Sequence, residues 1–300
     1  MADVKSKTQA LFLFSGISEC GFTAAAAVLL GATAAGAGLD WRLVVALLAN
    51  GLALSFAFMI ARLEESPEDA LDSSRSAGNP VASGGLTPLQ GTRVALVFAL
   101  SALGLSVFLG YQSFLYTLMT LVLGLAYSHH SIQLKKNAGL DLASHGLLFG
   151  GFQFLSAYDA FLNVSSSPLL FPLSFVVFLS IYWQIEHQIR SMPLDWERGF
   201  RNTALSLGYR RSQMLAIVFL CIAVACGILA FAPLEILPAW VLVMFIILTL
   251  IMLLPLFARL HSEPAYKGEI QSTIRQALER AATISLAVYF LAAQLTKLIF

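Results

Sequence analysis

Between positions 62 and 72 the chain reads RLEESPEDALD, and its carboxylates fall into two pairs one helical turn apart, Glu64 with Glu68 and Glu65 with Asp69. On a helix each pair shares a face. Carboxylates held together at the mouth of a helix bundle repel one another unless a cation joins them. Hard divalent ions such as Mg²⁺ take carboxylate oxygens and complete their shells with water and substrate phosphates, so an acidic pair beside a basic surface suits a diphosphate ligand. The plain alternative is a solvated acidic linker.

The elements that must position these groups are apolar. Nine stretches run roughly Leu11 to Ala35, Leu43 to Ala61, Val94 to Tyr111, Phe114 to Tyr127, Leu142 to Ala160, Leu169 to Ile185, Met214 to Phe231, Ile236 to Phe257 and Gln276 to Ile299. Most approach the ~20 residues that a bilayer core requires, although the fourth is short. With 58% hydrophobic and 12% charged residues, the composition excludes an ordinary soluble domain, where charge is nearer ~25%. Of the 18 Lys and Arg residues, all but Arg42 and Lys297 fall on one side, ahead of the first stretch, in alternate gaps between stretches or, for Arg280, at the start of the ninth. The positive-inside rule makes that side cytoplasmic, in the plasma (cell inner) membrane, with the N-terminus inside and the C-terminus outside. Glu19 interrupts the first stretch, which reads as a retained span rather than a signal peptide. Cys20, Cys221 and Cys226 lie inside stretches without metal-ligand spacing and read as small packing residues.

Outer connections are short: Asp40 with Arg42, a gap near Gln112, Asn163 to Ser167, and Glu235. The inner ones are long and charged. The longest, Arg62 to Thr92, holds the acidic run and ends in Asn79, Pro80, Val81, Ala82, Ser83, Gly84, Gly85, Leu86 and Thr87. The next runs from Tyr127 through Lys135 and Lys136 to Gly139, Leu140 and Asp141, and the following one from Asp195 through Arg198, Arg201, Asn202 and Thr203 to Gly208.

These three segments, in this order and on one membrane face, resemble the UbiA-type intramembrane prenyltransferases. In that family an NDxxDxxxD segment precedes an RPxxSGxxT-like turn, matched here by Asn79 to Thr87. A YSxPPxRLK-like loop before Gly-Leu-Asp is matched by Tyr127 to Asp141, and a DxxxD segment leading into GxRTxAxxLG by Asp195 to Gly208. The resemblance implies an all-α membrane protein, nine transmembrane helices around a central apolar cavity. The chain would form a single domain over 1–300, with cytoplasmic cap segments at 62–92 and 186–212. It also implies transfer of an isoprenoid chain from a prenyl diphosphate to a lipophilic acceptor, such as a quinone precursor or carotenoid, with Mg²⁺ as cofactor and no nucleic-acid partner.

Carried over by position, the resemblance makes Glu65, Asp69 and Asp195 the metal ligands and catalytic acids, with Lys135, Arg198 and Arg201 as counter-charges to the diphosphate and Tyr127 and Asn79 as further substrate contacts. The acidic motifs depart from the family pattern. The first motif's Asn and leading Asp fall on Ala61 and Arg62, its middle Asp on Glu65, and the second motif's first Asp on Ser191. Arg62 could itself contact a phosphate. Glu64, Glu68, Asp72, Glu186 and Glu197 stand nearby as further acids.

A departing diphosphate leaves an allylic cation that needs a dry, electron-rich cavity. Phe152, Phe154, Tyr158, Tyr182 and Trp183 lie in the spans beneath the loops. Glu19, Glu186 and His187 are ionisable groups within or at the ends of apolar spans, where such groups are commonly functional; Glu186 with Arg190 also fits a simple i,i+4 ion pair. His129 and His130 read as loop residues rather than metal ligands. Three other readings remain open at this level: a catalytically degenerate partner subunit, a membrane terpene cyclase, and a transporter. A transporter would place its polar ligands at the midplane rather than at one surface.

Overall fold

Every one of the nine apolar stretches is helical in the computed structural model, which describes residues 7–161, 169–231, 236–262 and 270–299. Helix is the outcome lipid demands, because a spanning segment must satisfy its own backbone. Lys5, Lys267, Glu235 and the outer connection Asn163 to Ser167 lie outside the described residues, as do the side chains of Arg259 and Lys297. In chain order the helices are α1 (Lys7–Ser15), α2 (Ile17–Ala34), α3 (Trp41–Asp69), α4 (Ser73–Gly78), α5 (Pro88–Val107), α6 (Tyr111–Ser128) and α7 (Leu140–His145). There follow α8 (Phe152–Phe161), α9 (Leu170–Glu197), α10 (Thr203–Leu207), α11 (Tyr209–Phe231), α12 (Ala239–Ser262) and α13 (Ile270–Ile299). Among the described residues there is no strand, and one isolated bridge joins Asn137 to Arg201.

Six helices, α2, α3, α5, α9, α11 and α12, are long and apolar enough to cross a membrane. The other stretches take different forms. The 18-residue α6 equals α2 in length but is less apolar, with Tyr111, Gln112 and Ser113 in its first turn, the fifth stretch is split into α7 and α8 by a π-helical turn at Gly146–Gly151, and α13 begins with the charged residues Arg275, Glu279 and Arg280. Much of both cap segments is helical too: α3 runs two turns past its apolar stretch to Asp69, and α9 continues to Glu197.

The first stretch breaks at Gly16, whose φ of 64° is left-handed and therefore favours glycine. The Ser15 hydroxyl donates to Phe12 O at 2.7 Å and accepts from Ile17 N at 3.3 Å, turning the chain from α1 into α2. At the start of α5, Thr87 and Gln90 form a reciprocal capping box around Pro88, so the end of the Asn79 to Thr87 turn is also what launches a helix.

Close crossings between helices are made by glycine, as expected where lipid supplies no hydrophobic drive and association rests on backbone approach. A Cβ at Gly31 of α2 would stand 2.3 Å from the Phe154 carbonyl oxygen of α8, and one at Gly150 would stand 2.7 Å from Val176 O of α9. At Gly124 of α6 it would meet the Ala57 Cβ of α3 at 2.8 Å. The largest buried apolar cluster joins α2, α3 and α8 with parts of α12 and α13 around Phe154, Tyr158, Phe161 and Phe290.

Gly31→Ala is expected to destabilise the protein by about 1–3 kcal/mol, because the atom it strikes is backbone and only a shift of α2 from α8 relieves the overlap. Gly51→Ala, with nothing within 4 Å of its would-be Cβ, is expected to be neutral or stabilising. Thermal unfolding of both variants in detergent checks the contrast.

Candidate active site

The acidic run sits on the last two turns of α3 because Pro67 is tolerated there. Proline deprives the carbonyl of Leu63 of its helical donor, and the Ser66 hydroxyl supplies a replacement at 2.8 Å. Beyond the helix, Asn79 folds the chain back on it. Its Nδ2 donates to Arg62 O at 2.8 Å and to Asp69 Oδ2 at 3.1 Å, while its Oδ1 accepts from Val81 N at 3.1 Å. Asn79 thus fixes the Asp69 carboxylate and the turn after it in one stroke.

The other two inner loops are knotted together by Asp141, which is 0% exposed. Its Oδ2 accepts from Gln188 Nε2 at 2.7 Å and Thr203 N at 2.6 Å, and its Oδ1 from Thr203 Oγ1 at 2.5 Å and Leu142 N at 2.8 Å. Gln188 Oε1 in turn accepts from Ala204 N at 3.1 Å, and Thr203 Oγ1 accepts from Gly139 N at 2.8 Å. Two turns further along α9 from Gln188, the buried Asp195 accepts through Oδ2 from Ser191 Oγ at 2.7 Å and Asn202 Nδ2 at 2.8 Å. Ser191, standing where the family has an acid, is therefore a donor to the acid that remains.

These supports bring the loops onto α3. Lys135 Nζ donates to Glu65 Oε1, and Arg198 reaches both Asp69 (Nη2 to Oδ1, 3.6 Å) and Glu68 (Nε to Oε2, 3.8 Å). Arg75 adds a second cation, 3.8 Å from Asp69 and 2.9 Å from Asp72. Lys136 lies over the Phe200 ring at 4.5 Å. A small polar pocket remains between the loops, lined by Glu64, Glu65, Glu68, Ser128, Lys135 and Phe200 among others. Three buried atoms here have no hydrogen-bond partner among the described residues: Ser128 Oγ, Arg75 Nη1 and Arg198 Nε. Unpaired buried donors are costly, and two guanidinium donors beside a carboxylate cluster suit phosphate oxygens. The donor set offered to a cation is carboxylate oxygen, which fits Mg²⁺.

Arg62 is turned away from this pocket. Its Nη1 donates to the carbonyls of Leu13 and Phe14, the latter at 3.1 Å, and its Nη2 to Glu19. Those carbonyls lie in the last turn of α1, where a cation is favoured, and Glu19 occupies the first turn of α2, where an anion is favoured. Arg201 is exposed and joins the site through its backbone bridge to Asn137. Tyr127 sits below the cap, its hydroxyl accepting from Gln184 Nε2 at 2.9 Å in the field of Asp141, Glu65 and Asp195.

An apolar chamber of about 470 Å³ lies among α2, α9, α11, α12, α13 and the π-helical turn, within the size range of small-ligand sites. Of the five aromatics noted in the sequence, Trp183 lines it; Phe149, Phe175, Phe231 and Phe245 do so as well. Phe154 and Tyr158 are packed in the core instead, and Phe152 stacks on Tyr116. The chamber and the cap meet around His145, which lines the chamber, accepts or donates a hydrogen bond with Ser180 at 3.1 Å, and has its ring 6.5 Å from that of Tyr127. His187 feels Arg275 from the chamber wall and Glu65 and Asp195 from the cap.

Sequence reasoning passed over Arg75, Gln188 and the chamber-lining pair Arg275 and Glu279, 3.7 Å apart. The last had a readable signal: opposite charges four residues apart at the entrance to an apolar stretch. Glu186 and Glu197 make no described contribution to the pocket lining.

A helical membrane bundle whose inner loops pack carboxylates and guanidinium groups beside an apolar chamber is the class that fold and site define. The chain belongs to the UbiA prenyltransferase family, whose model matches residues 20–268. No curated protein matches it. Among solved structures it is similar to a UbiA homolog from Archaeoglobus fulgidus bound to GPP and Mg²⁺, with TM-score 0.69 and 18% identity, covering 95% of this chain and 99% of that one. It is also similar to an apo UbiA homolog from Aeropyrum pernix K1 (TM-score 0.69, 15% identity, 93% and 98% covered). A third likeness is to a digeranylgeranylglyceryl phosphate synthase (TM-score 0.66, 14% identity, 94% and 99% covered). At such identities the likeness is one of fold.

Asp141→Ala is expected to strand four donors at once and lower stability by about 2–4 kcal/mol, since each unsatisfied buried partner costs roughly 1–3 kcal/mol and some rearrange. Thermal unfolding in detergent, with limited proteolysis at Arg201 as a local probe, checks whether the two loops separate.

Proposed function

We propose that the protein is a prenyltransferase that ionises a prenyl diphosphate under its polar cap and transfers the isoprenoid chain to a lipophilic acceptor in the apolar chamber. What supports this reading is the pairing of Glu65 with Lys135 and of Asp69 with Arg75 and Arg198 next to a small polar pocket that Glu65 and Lys135 line, with Glu65 and Asp195 both within electrostatic reach of Tyr127 and His187. The nine helical stretches would span the membrane of the cell, with the cap on the cytoplasmic side, in keeping with the distribution of Lys and Arg.

Glu65, Asp69 and Asp195 would hold Mg²⁺, with Glu68 within reach. Bound there, Mg²⁺ supplies positive charge to the leaving diphosphate. Lys135 and Arg198 would exchange their carboxylate partners for phosphate oxygens, and Arg75 Nη1 and Arg198 Nε would gain acceptors they lack. The allylic C–O bond breaks with its electron pair going to the diphosphate. The cation then accepts electrons from the acceptor, which loses a proton as the new bond forms. Apolar walls that keep water out would leave the cation to be captured by acceptor rather than by water. Each methylene of the isoprenoid chain buried there contributes about 0.8 kcal/mol to binding. Trp183 and the phenylalanine faces would shield the cation.

Purified protein in detergent, given geranyl, farnesyl and geranylgeranyl diphosphates with a lipid extract, is expected to release diphosphate only when Mg²⁺ is present. Glu65→Ala, Asp69→Ala and Asp195→Asn should each slow release by about 10²–10³-fold, the usual loss when one preorganised charge is removed. Product mass separates transfer from internal cyclisation. Release that continues unchanged in all three variants would defeat the assignment.

A further inference from the structure

The C-terminal end of α6 delivers two adjacent imidazoles to one carboxylate of α3. His129 and His130 follow Ser128, with ring centroids 4.1 Å apart. His130 donates its backbone N–H to Glu64 Oε2 at 3.0 Å and holds Nδ1 3.1 Å from the same oxygen. His129 Nε2 lies 3.9 Å from the other oxygen, Oε1. One ligand atom from each residue can be chosen so that all lie within 4.8 Å of one another. Among the described residues, the partners of Glu64 are these two histidines, whereas Glu65 is matched by Lys135 and Glu68 by Arg198.

We propose that Glu64, His129 and His130 form a binding site for a borderline divalent cation of the Zn²⁺ class, beside the carboxylate pocket and distinct in chemistry from it. Two imidazoles and one carboxylate select Zn²⁺ and its neighbours, while Mg²⁺ takes oxygen donors. With bonds of about 2.0–2.2 Å, the ligand atoms of a tetrahedral site stand about 3.4 Å apart; each imidazole approaches its own oxygen of Glu64 near that spacing, at 3.1 and 3.9 Å, and the three ligand atoms close to it from within 4.8 Å of one another. His130 is largely exposed, its side chain retaining 70% of its accessible surface, so the fourth position is open to water. The adjustment required is small: His129 Nδ1 gives up the long hydrogen bond it accepts from Ser131 N at 3.3 Å, so that Nε2 can present its lone pair. A cation held here fastens α3 to the loop that carries Lys135. The inference stands apart from the prenyl-transfer reading, because it concerns metal uptake by the folded chain alone.

Calorimetric titration of tag-free, chelator-stripped protein with Zn²⁺ is expected to show one site per chain that millimolar Mg²⁺ does not displace. Loss of even a supporting group costs a metal site about 10- to 100-fold, so His129→Ala and His130→Ala should each weaken binding by ~10-fold or more. Co²⁺ in place of Zn²⁺ should give the visible absorption of a four-coordinate centre, absent from both variants. His130→Gln, which keeps bulk and a donor near Glu64, carries the test should the alanine variants fail to fold. No uptake by the wild type, displacement by Mg²⁺, or affinity unchanged in the histidine variants would overturn the proposal.

Discussion

A charged carboxylate sealed from solvent costs several kcal/mol unless its lone pairs are used, and Asp141 meets that demand by collecting donors from three separate segments. Leu142 follows it in α7, Gln188 stands on α9, and Thr203 opens α10. Gln188 and Thr203 stand 47 and 62 residues from Asp141, so the requirement of a single side chain ties α7 to the end of α9 and the start of α10. Lys135 lies six residues before Asp141 and Arg198 five before Thr203, so the reach of both cations toward α3 follows from that buried centre. The bridge between Asn137 and Arg201 and the packing of Lys136 on Phe200 fill in the same junction.

On this frame the cap balances charge across loops rather than within them. Glu65 meets a lysine from the α6–α7 connection, and Asp69 and Glu68 meet an arginine from the end of α9. Such pairs are partly exposed and individually contribute little to stability. On the proposed reading their value is exchangeability: an incoming anion with its counter-ion would take the cations and leave the carboxylates to the metal, without burying new charge. The supports of Asp69 and Asp195 are of the other kind, neutral Asn and Ser donors that would hold each carboxylate in place during the exchange.

Hydropathy made the apolar stretches legible, because lipid enforces helix on any run of that length and composition. The acidic pairs were legible as a helical face because their spacing of four is the helix's own. What the chain did not disclose depends on contacts across 40 residues or more. The break at Gly16 is invisible to hydropathy, and the π-helical turn at Gly146–Gly151 shows only as a cluster of glycines. Asp141 could be matched to a motif, but its role rests on Gln188 and Thr203, 47 and 62 residues away. Apart from Trp183, the aromatics of the chamber were missed because position within a span does not say which face turns inward, and Phe154 went to the core while Phe149 and Phe175 went to the chamber.

Arg62 shows how one substitution moves charge between tasks. At a position where the family pattern has an acid, its guanidinium closes the end of α1 and pairs with Glu19, so the arginine and its counter-ion both leave the pocket. The first acidic motif therefore keeps Glu65 and Asp69 but forfeits a third ligand to the cohesion of the first membrane stretch. With Ser191 likewise a donor to Asp195, fewer carboxylates than the family pattern offers stand beside Lys135, Arg75 and Arg198. On the proposed reading, a larger share of the diphosphate's charge then falls to direct contact with Lys135, Arg75 and Arg198 than to metal. That balance accounts for buried guanidinium nitrogens that stand 3.8 Å from carboxylates without a hydrogen bond, in the very place where anionic oxygen would satisfy them.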